Sequence, residues 1–401
     1  MDLAVAPGRA RLDNLTGLRA FAAAWVMLMH YSLNTGFGEY LQFPRVILHG
    51  GYGVDLFFVL SGVVITFNYL GALKAEHPFG PAYRDYLAKR FARIYPLHLA
   101  TFLAVVWLLW EGTSQGYRLF AGTLYTPFSA LLNLTLMQAW GILDRFSWNF
   151  VAWSLSAEWF AYLLVFPACV HLLERCNWKQ VLLIVAVPWI GLNGILQFVT
   201  HHSITSITHD GFLRILPEFM AGYVLCRMCL LPGIPRNAAQ ENENAPRSAS
   251  AALLAVTAGS LVFVAMSWHG RLELLVLPAA LAILWGLMHG HPILDAIFGN
   301  RLTVFLGETS FALYMLHPFV RIVGNHVMEL HPAWNTRAHA LSVLFIEVAA
   351  CYVISSAVYF AFERPARLYT LGLLRRVLSG PVGAPTGQPR RTREMIRPPL
   401  S

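Results

Sequence analysis

Long apolar runs separated by short polar connections fill most of this chain. Runs of roughly membrane-spanning length, about 20 residues, lie near 17–34, 54–73, 94–110, 151–173, 181–199, 212–231, 250–268, 272–289, 303–328 and 340–362. A weaker run, 123–141, is interrupted by Pro127, Asn133 and Gln138. The pattern predicts an all-α, polytopic membrane bundle of about ten transmembrane helices, with its domain over 12–365. The first run has no small-residue cleavage site and is followed by further spans, so it reads as a retained helix rather than a signal peptide.

Charge then orients the runs. The 74–93 connection carries Lys74, Arg84, Lys89, Arg90 and Arg93 against Glu76 and Asp85. Eight arginines follow Phe362, against Glu363 and Glu394. Basic connections stay in the cytoplasm, so both termini are expected there and the number of spans must be even. That demotes 123–141 to a re-entrant or interfacial helix, tolerated where protein buries it. The polar, Pro-containing 232–248 stretch reads as a cytoplasmic linker, and 380–401 as a disordered basic tail.

Composition agrees. Hydrophobic residues make up 57% of the 401 and charged residues only 12%, about half the share of a soluble domain. The bilayer is therefore an expected partner. The net charge of +8 would permit nucleic-acid binding, but the basic residues sit at the ends of apolar runs, so no nucleic-acid partner is expected. Of the five cysteines, Cys226 and Cys229 form a C-x-x-C, but no second pair or histidine cluster completes a zinc site. No disulfide framework and no metal are expected.

The informative residues are the charges inside the runs, because an ionisable group in hydrocarbon costs about 2.5–3.5 kcal/mol on insertion scales. Arg19 and His30 are eleven steps apart on the first helix. Eleven steps of about 100° end about 20° past three turns, so both share one face, roughly 16 Å apart along the axis. Asp55 opens the second run, and Ser61-Gly62 suits close helix packing. Arg90 and Arg93, at i and i+3, can point the same way at the cytoplasmic face, where two guanidiniums suit phosphate. Glu158 lies inside WSLSAEWF, and Glu218 and Glu308 repeat the pattern. Ser310, Tyr314 and His317 lie on neighbouring faces of one helix. Each has an ordinary packing explanation alone; together they predict a polar passage across the membrane.

These residues resemble a known family. The R-x10-H of Arg19 and His30, GVDLFFVLSG at 53–62, the R-x-x-R of Arg90 and Arg93, WSLSAE at 153–158 and the S-x-x-x-Y-x-x-H of Ser310, Tyr314 and His317 are similar to the acyltransferase family 3 membrane proteins, which include bacterial O-acetyltransferases of O-antigen and exopolysaccharide. Val63-Val64 stand where that family often has Phe-Leu. The resemblance implies a multi-pass protein of the bacterial inner membrane. It implies an acyl donor from the cytoplasm, acyl-CoA and most often acetyl-CoA, and a carbohydrate or lipid-linked glycan acceptor. On this reading Arg90 and Arg93 hold the CoA phosphates and Arg19 guides the pantetheine or acyl end. His30 acts as general base, with Asp55 or Glu158 orienting its ring. Ser310, Tyr314 and His317 contact substrate. The alternative is a proton-coupled transporter or flippase of a glycan or lipid intermediate, using the same charges as a relay.

Overall fold

A computed structural model describes residues 7–33, 44–75, 80–119, 122–206, 208–230, 238–268, 270–334 and 336–378. Its main helices are α1 (Pro7–Leu33), α2 (Tyr52–Lys74), α3 (Pro81–Trp110), α4 (Pro127–Leu134), α5 (Phe150–Arg175), α6 (Trp178–Ile195), α7 (Gly211–Leu230), α8 (Ala238–Trp268), α9 (Val276–His289), α10 (Ser310–Leu330) and α11 (Arg337–Val358). No strand is found among the described residues, only one isolated bridge between Leu124 and Ser147.

Seven helical stretches among the described residues are long and apolar enough to cross a membrane. α1, α7 and α10 fall outside that set, although they have 27, 20 and 21 residues. Each carries an arginine together with a histidine or glutamate in its interior, and those charges lower its mean hydropathy. The outside of the bundle is apolar where it should face lipid. On α6, Leu182, Leu183, Val187 and Ile190 are each more than half exposed, an arrangement that water would penalise and hydrocarbon tolerates.

The 123–141 stretch contains only α4, eight residues long. About 12 Å of helix cannot span a bilayer, as its interrupting residues implied. Two other boundaries move. α3 begins at Pro81, well before the expected span at 94, so Arg90 and Arg93 lie inside a continuous helix rather than in front of one. α8 begins at Ala238, so 238–248 of the expected linker extends a helix, while 231–237 and the 380–401 tail lie outside the described residues.

The tightest crossing joins α2 to α7. A Cβ on Gly62 would come within 2.2 Å of the Phe219 carbonyl oxygen, and one on Gly222 within 2.0 Å of the Val59 carbonyl oxygen. Each glycine thus faces the backbone of the opposite helix. Small residues permit such approach where lipid offers no hydrophobic drive for association. The offset between the partners stays constant from Gly62 opposite Phe219–Tyr223 to Asp55 opposite Arg214, so the two helices run parallel. Gly222→Val should therefore overpack this crossing and lower the melting temperature of the detergent-solubilised protein, in line with a loss of about 1–3 kcal/mol. An unchanged melting curve would contradict the close approach.

Candidate functional site

α1, α2, α3, α5 and α10 converge on a cavity of about 140 Å3. It is lined by Arg19 from α1, Ser61 from α2, Arg90 and Arg93 from α3, Glu158 and Tyr162 from α5, and Ser310 and Tyr314 from α10. Six of the nine residues to which the resemblance gives a site role therefore share one space. Between the charges it is apolar, with Val64, Ile65, Ile94 and Phe311 among its lining.

The three guanidiniums are held differently. Arg93 is ion-paired with Glu363 and lies 5.3 Å over the Phe311 ring. Arg90 donates to the Tyr69 hydroxyl at 2.8 Å and stacks on that ring, and its buried Nε has no partner among the described residues. No hydrogen bond or ion pair joins Arg19 to any described residue. Glu158 accepts from Ser61 at 2.9 Å and from the Tyr162 hydroxyl. Three cations thus face the carboxylates of Glu158 and Glu363, leaving an excess of positive charge that suits an anionic ligand.

Tyr162 and Glu363 were not singled out in the sequence. Each sits in a π-turn, Ala161–Val165 and Tyr359–Glu363, where one extra residue is inserted in the helix. Such inserts re-aim side chains and recur at functional sites. A period-3.6 reading cannot register them, and Glu363 stood in the sequence only as part of the tail's charge balance.

His30 lies beyond the cavity. Its Nδ1 is 3.0 Å from the Val26 carbonyl and 3.2 Å from Nε2 of His317. Donation from Nδ1–H to that carbonyl leaves Nε2 as the basic nitrogen. Phe150 packs edge-on against the ring at 5.2 Å. The buried Tyr31 donates to the His317 carbonyl oxygen at 3.2 Å and lies under Arg321, which is ion-paired with Glu347. Tyr314 separates the histidines from the cavity: its ring is 5.9 Å from that of His317, and its hydroxyl is 2.7 Å from the Ser154 hydroxyl and donates to the Val151 carbonyl at 3.1 Å.

Neither expected orienter of His30 touches it. Asp55 accepts from Nε and Nη2 of Arg214 at 2.8 and 2.6 Å, both groups fully buried, and Glu158 is engaged by Ser61 and Tyr162. The groups that orient its ring are the Val26 carbonyl and His317, so His317 is better placed as partner of the His30 ring than as a substrate contact. Ser310 lines the cavity but spends its hydroxyl on the Gly307 carbonyl at 2.7 Å.

The family model described as an acyltransferase domain matches residues 12–356. Acyltransferase MdmB of Streptomyces mycarofaciens is 29% identical over 423 aligned residues, covering 96% of this chain and 99% of that protein. Exopolysaccharide production protein ExoZ of Rhizobium meliloti is 25% identical, covering 83% of this chain and 94% of its own length. The putative peptidoglycan O-acetyltransferase YrhL of Bacillus subtilis is 34% identical over 99 residues, 24% of this chain and 14% of that one. No solved structure matches.

The buried bidentate pair makes a structural role for Asp55 testable. Asp55→Ala strands the Arg214 charge and should cost about 3–5 kcal/mol of stability, whereas replacing both with apolar residues, Asp55→Leu with Arg214→Met, should recover most of it. Thermal unfolding of the three proteins reads the difference. A stable Asp55→Ala protein would show that the pair does not hold α2 to α7.

Proposed function

Because the chain belongs to the acyltransferase family matched over residues 12–356, we propose that it moves an acyl group, in the first instance acetyl, from cytoplasmic acyl-CoA to a hydroxyl of a carbohydrate or lipid-linked glycan. The protein is a membrane O-acyltransferase. The observation that carries the donor and the base is the single cavity lined by Arg19, Arg90 and Arg93 and closed by Tyr314 in front of the His30–His317 pair.

At about 140 Å3 the cavity matches the size of a small apolar ligand such as benzene, far smaller than CoA. It suits the acyl thioester end, with the nucleotide outside the bundle. Arg90, with its free Nε, and Arg93 draw the phosphates to the cytoplasmic mouth, and the unpaired Arg19 steers the carbonyl end along the α1 face toward His30. Both termini lie in the cytoplasm on this reading, and ten segments cross the bacterial inner membrane.

The chemistry needs one proton transfer and one acyl transfer. Nε2 of His30 takes the proton of the acceptor hydroxyl as its oxygen attacks the thioester carbonyl. The tetrahedral oxyanion collapses, the C–S bond breaks, and CoA leaves as the thiolate that receives the proton. His317 shares the Nδ1 proton of His30 and steadies the imidazolium that forms between the two steps. The Tyr314 hydroxyl stands at the boundary between cavity and histidines, where turning its proton away from the Val151 carbonyl would let it donate to the oxyanion. Glu158 keeps Tyr162 and Ser61 in place at the cavity wall rather than acting on the base.

ExoZ and YrhL bear names of polysaccharide production and of peptidoglycan O-acetylation, which supports a glycan acceptor. A transporter using the same charges would need no thioester, and its substrate movement would respond to the proton gradient.

His30→Ala in nanodiscs should lower kcat for acetyl transfer from acetyl-CoA by about 10²–10⁴-fold while acetyl-CoA still binds. Wild-type turnover in that variant removes His30 from catalysis. Arg90→Ala should raise the half-saturating acetyl-CoA concentration about tenfold, the effect of losing one charge-assisted contact. An unaltered value counts against the phosphate role.

A further inference from the structure

A second recess lies on the His30 side of the bundle, between the 135–152 connection and the segment before α7. Gln138, Arg145, Phe146, Phe150, Trp153 and His209 frame it. The two segments are tied together by the Gly141 amide donating to the His209 carbonyl at 3.1 Å. We propose that this cleft is the acceptor subsite, taking a neutral pyranose ring of a glycoside against its aromatic rings and presenting a ring hydroxyl to His30. The proposal rests on the O-acyltransferase reading and adds to it where the sugar sits.

Three observations carry it. The cleft is continuous with the base: Phe150 belongs to its wall and also packs on the His30 ring at 5.2 Å, and Phe146 packs on Phe150 at 5.7 Å. The cleft is also short of a hydrogen-bond donor. Gln138 is 5% exposed, its Nε2 donates to the Ala152 carbonyl at 3.1 Å, and its buried Oε1 has no partner among the described residues. A buried amide oxygen left unsatisfied costs about 1–3 kcal/mol, and a sugar hydroxyl supplies the missing donor. The third observation is charge. Arg145 is already paired with Asp144 at 2.9 Å, so the rim offers no free cation to an anionic acceptor. Aromatic faces, an amide acceptor and a neutralised rim match a ring with apolar C–H faces and hydroxyl edges.

The recess is narrow, about 10 Å3, room for roughly one water. Phe146, 36% exposed at the rim, swings out to admit the sugar and packs back against the seated ring. Trp153 forms the inner wall and lies 5.5 Å under the Arg214 guanidinium, which makes it the fixed side of the cleft.

The test uses the full chain in nanodiscs with acetyl-CoA and a panel of p-nitrophenyl glycosides (glucoside, galactoside and N-acetylglucosaminide), with acetylated product measured by mass spectrometry. Gln138→Leu and Phe146→Ala should each raise KM for the glycoside about tenfold, with kcat within about threefold and KM for acetyl-CoA unchanged. Should Gln138→Leu fail to fold, the rim variant Phe146→Ala decides. Wild-type acetylation with an unchanged glycoside KM in the variants overturns the cleft and leaves the acyltransferase reading standing. Failure of the wild type to acetylate any glycoside overturns the glycan reading, and the cleft with it.

Discussion

Arginines buried in an apolar bundle dictate how its helices meet. Arg214 on α7 finds Asp55 on α2, Arg321 on α10 finds Glu347 on α11, and Arg93 on α3 finds Glu363 beyond α11. A charge leaving water for a low-dielectric interior is tolerated when a counter-charge and hydrogen bonds replace its hydration. Each pair therefore works as a keyed joint between helices, and each lies close to the candidate site. Arg214 sits over Trp153 and Arg321 over Tyr31, so two of the joints also brace the walls around the histidines. Arg19 departs from this rule. Among the described residues it has no ion-pair or hydrogen-bond partner, although it lines the cavity beside Arg90 and Arg93.

That division explains why the fold was largely readable and the site only partly so. Apolar length and the 3.6-residue period reveal helices, and the shared face of Arg19 and His30 is a local property of one of them. The breaks at Pro127, Asn133 and Gln138 made 123–141 the weakest run, and the need for an even number of spans demoted it. Partnership is not local. Asp55 meets Arg214 across 159 positions, Ser61 meets Glu158 across 97, and His30 meets His317 across 287. A lone carboxylate near a helix start offers no hint of which distant residue it will face, and assigning Asp55 or Glu158 to His30 failed for that reason. The polar interiors of α1, α7 and α10 also make those helices, two of which line the cavity, the least conspicuous as membrane spans.

The arrangement has two sides with one narrow boundary. The arginine-lined cavity lies on one side of Tyr314, and the histidine pair and aromatic recess lie on the other. A thioester and a hydroxyl arriving from opposite faces of a membrane would meet at that tyrosine. Exclusion of water matters for acyl transfer because water competes with the acceptor hydroxyl for the same carbonyl. Phe57, edge-on to Tyr314 at 6.3 Å, thickens the partition.

The π-turn at Tyr359–Glu363 carries one residue more than an α-helix requires. Excising a single amino acid there would let the helix close its ordinary ladder, with the side chains beyond the cut keeping their azimuth. Glu363, inside the turn, would lose the spacing that sets it against Arg93, while the helix on either side kept its lipid-facing character. Hydropathy, helicity and insertion would look unaltered in such a variant, and only the azimuth of one carboxylate would betray the change.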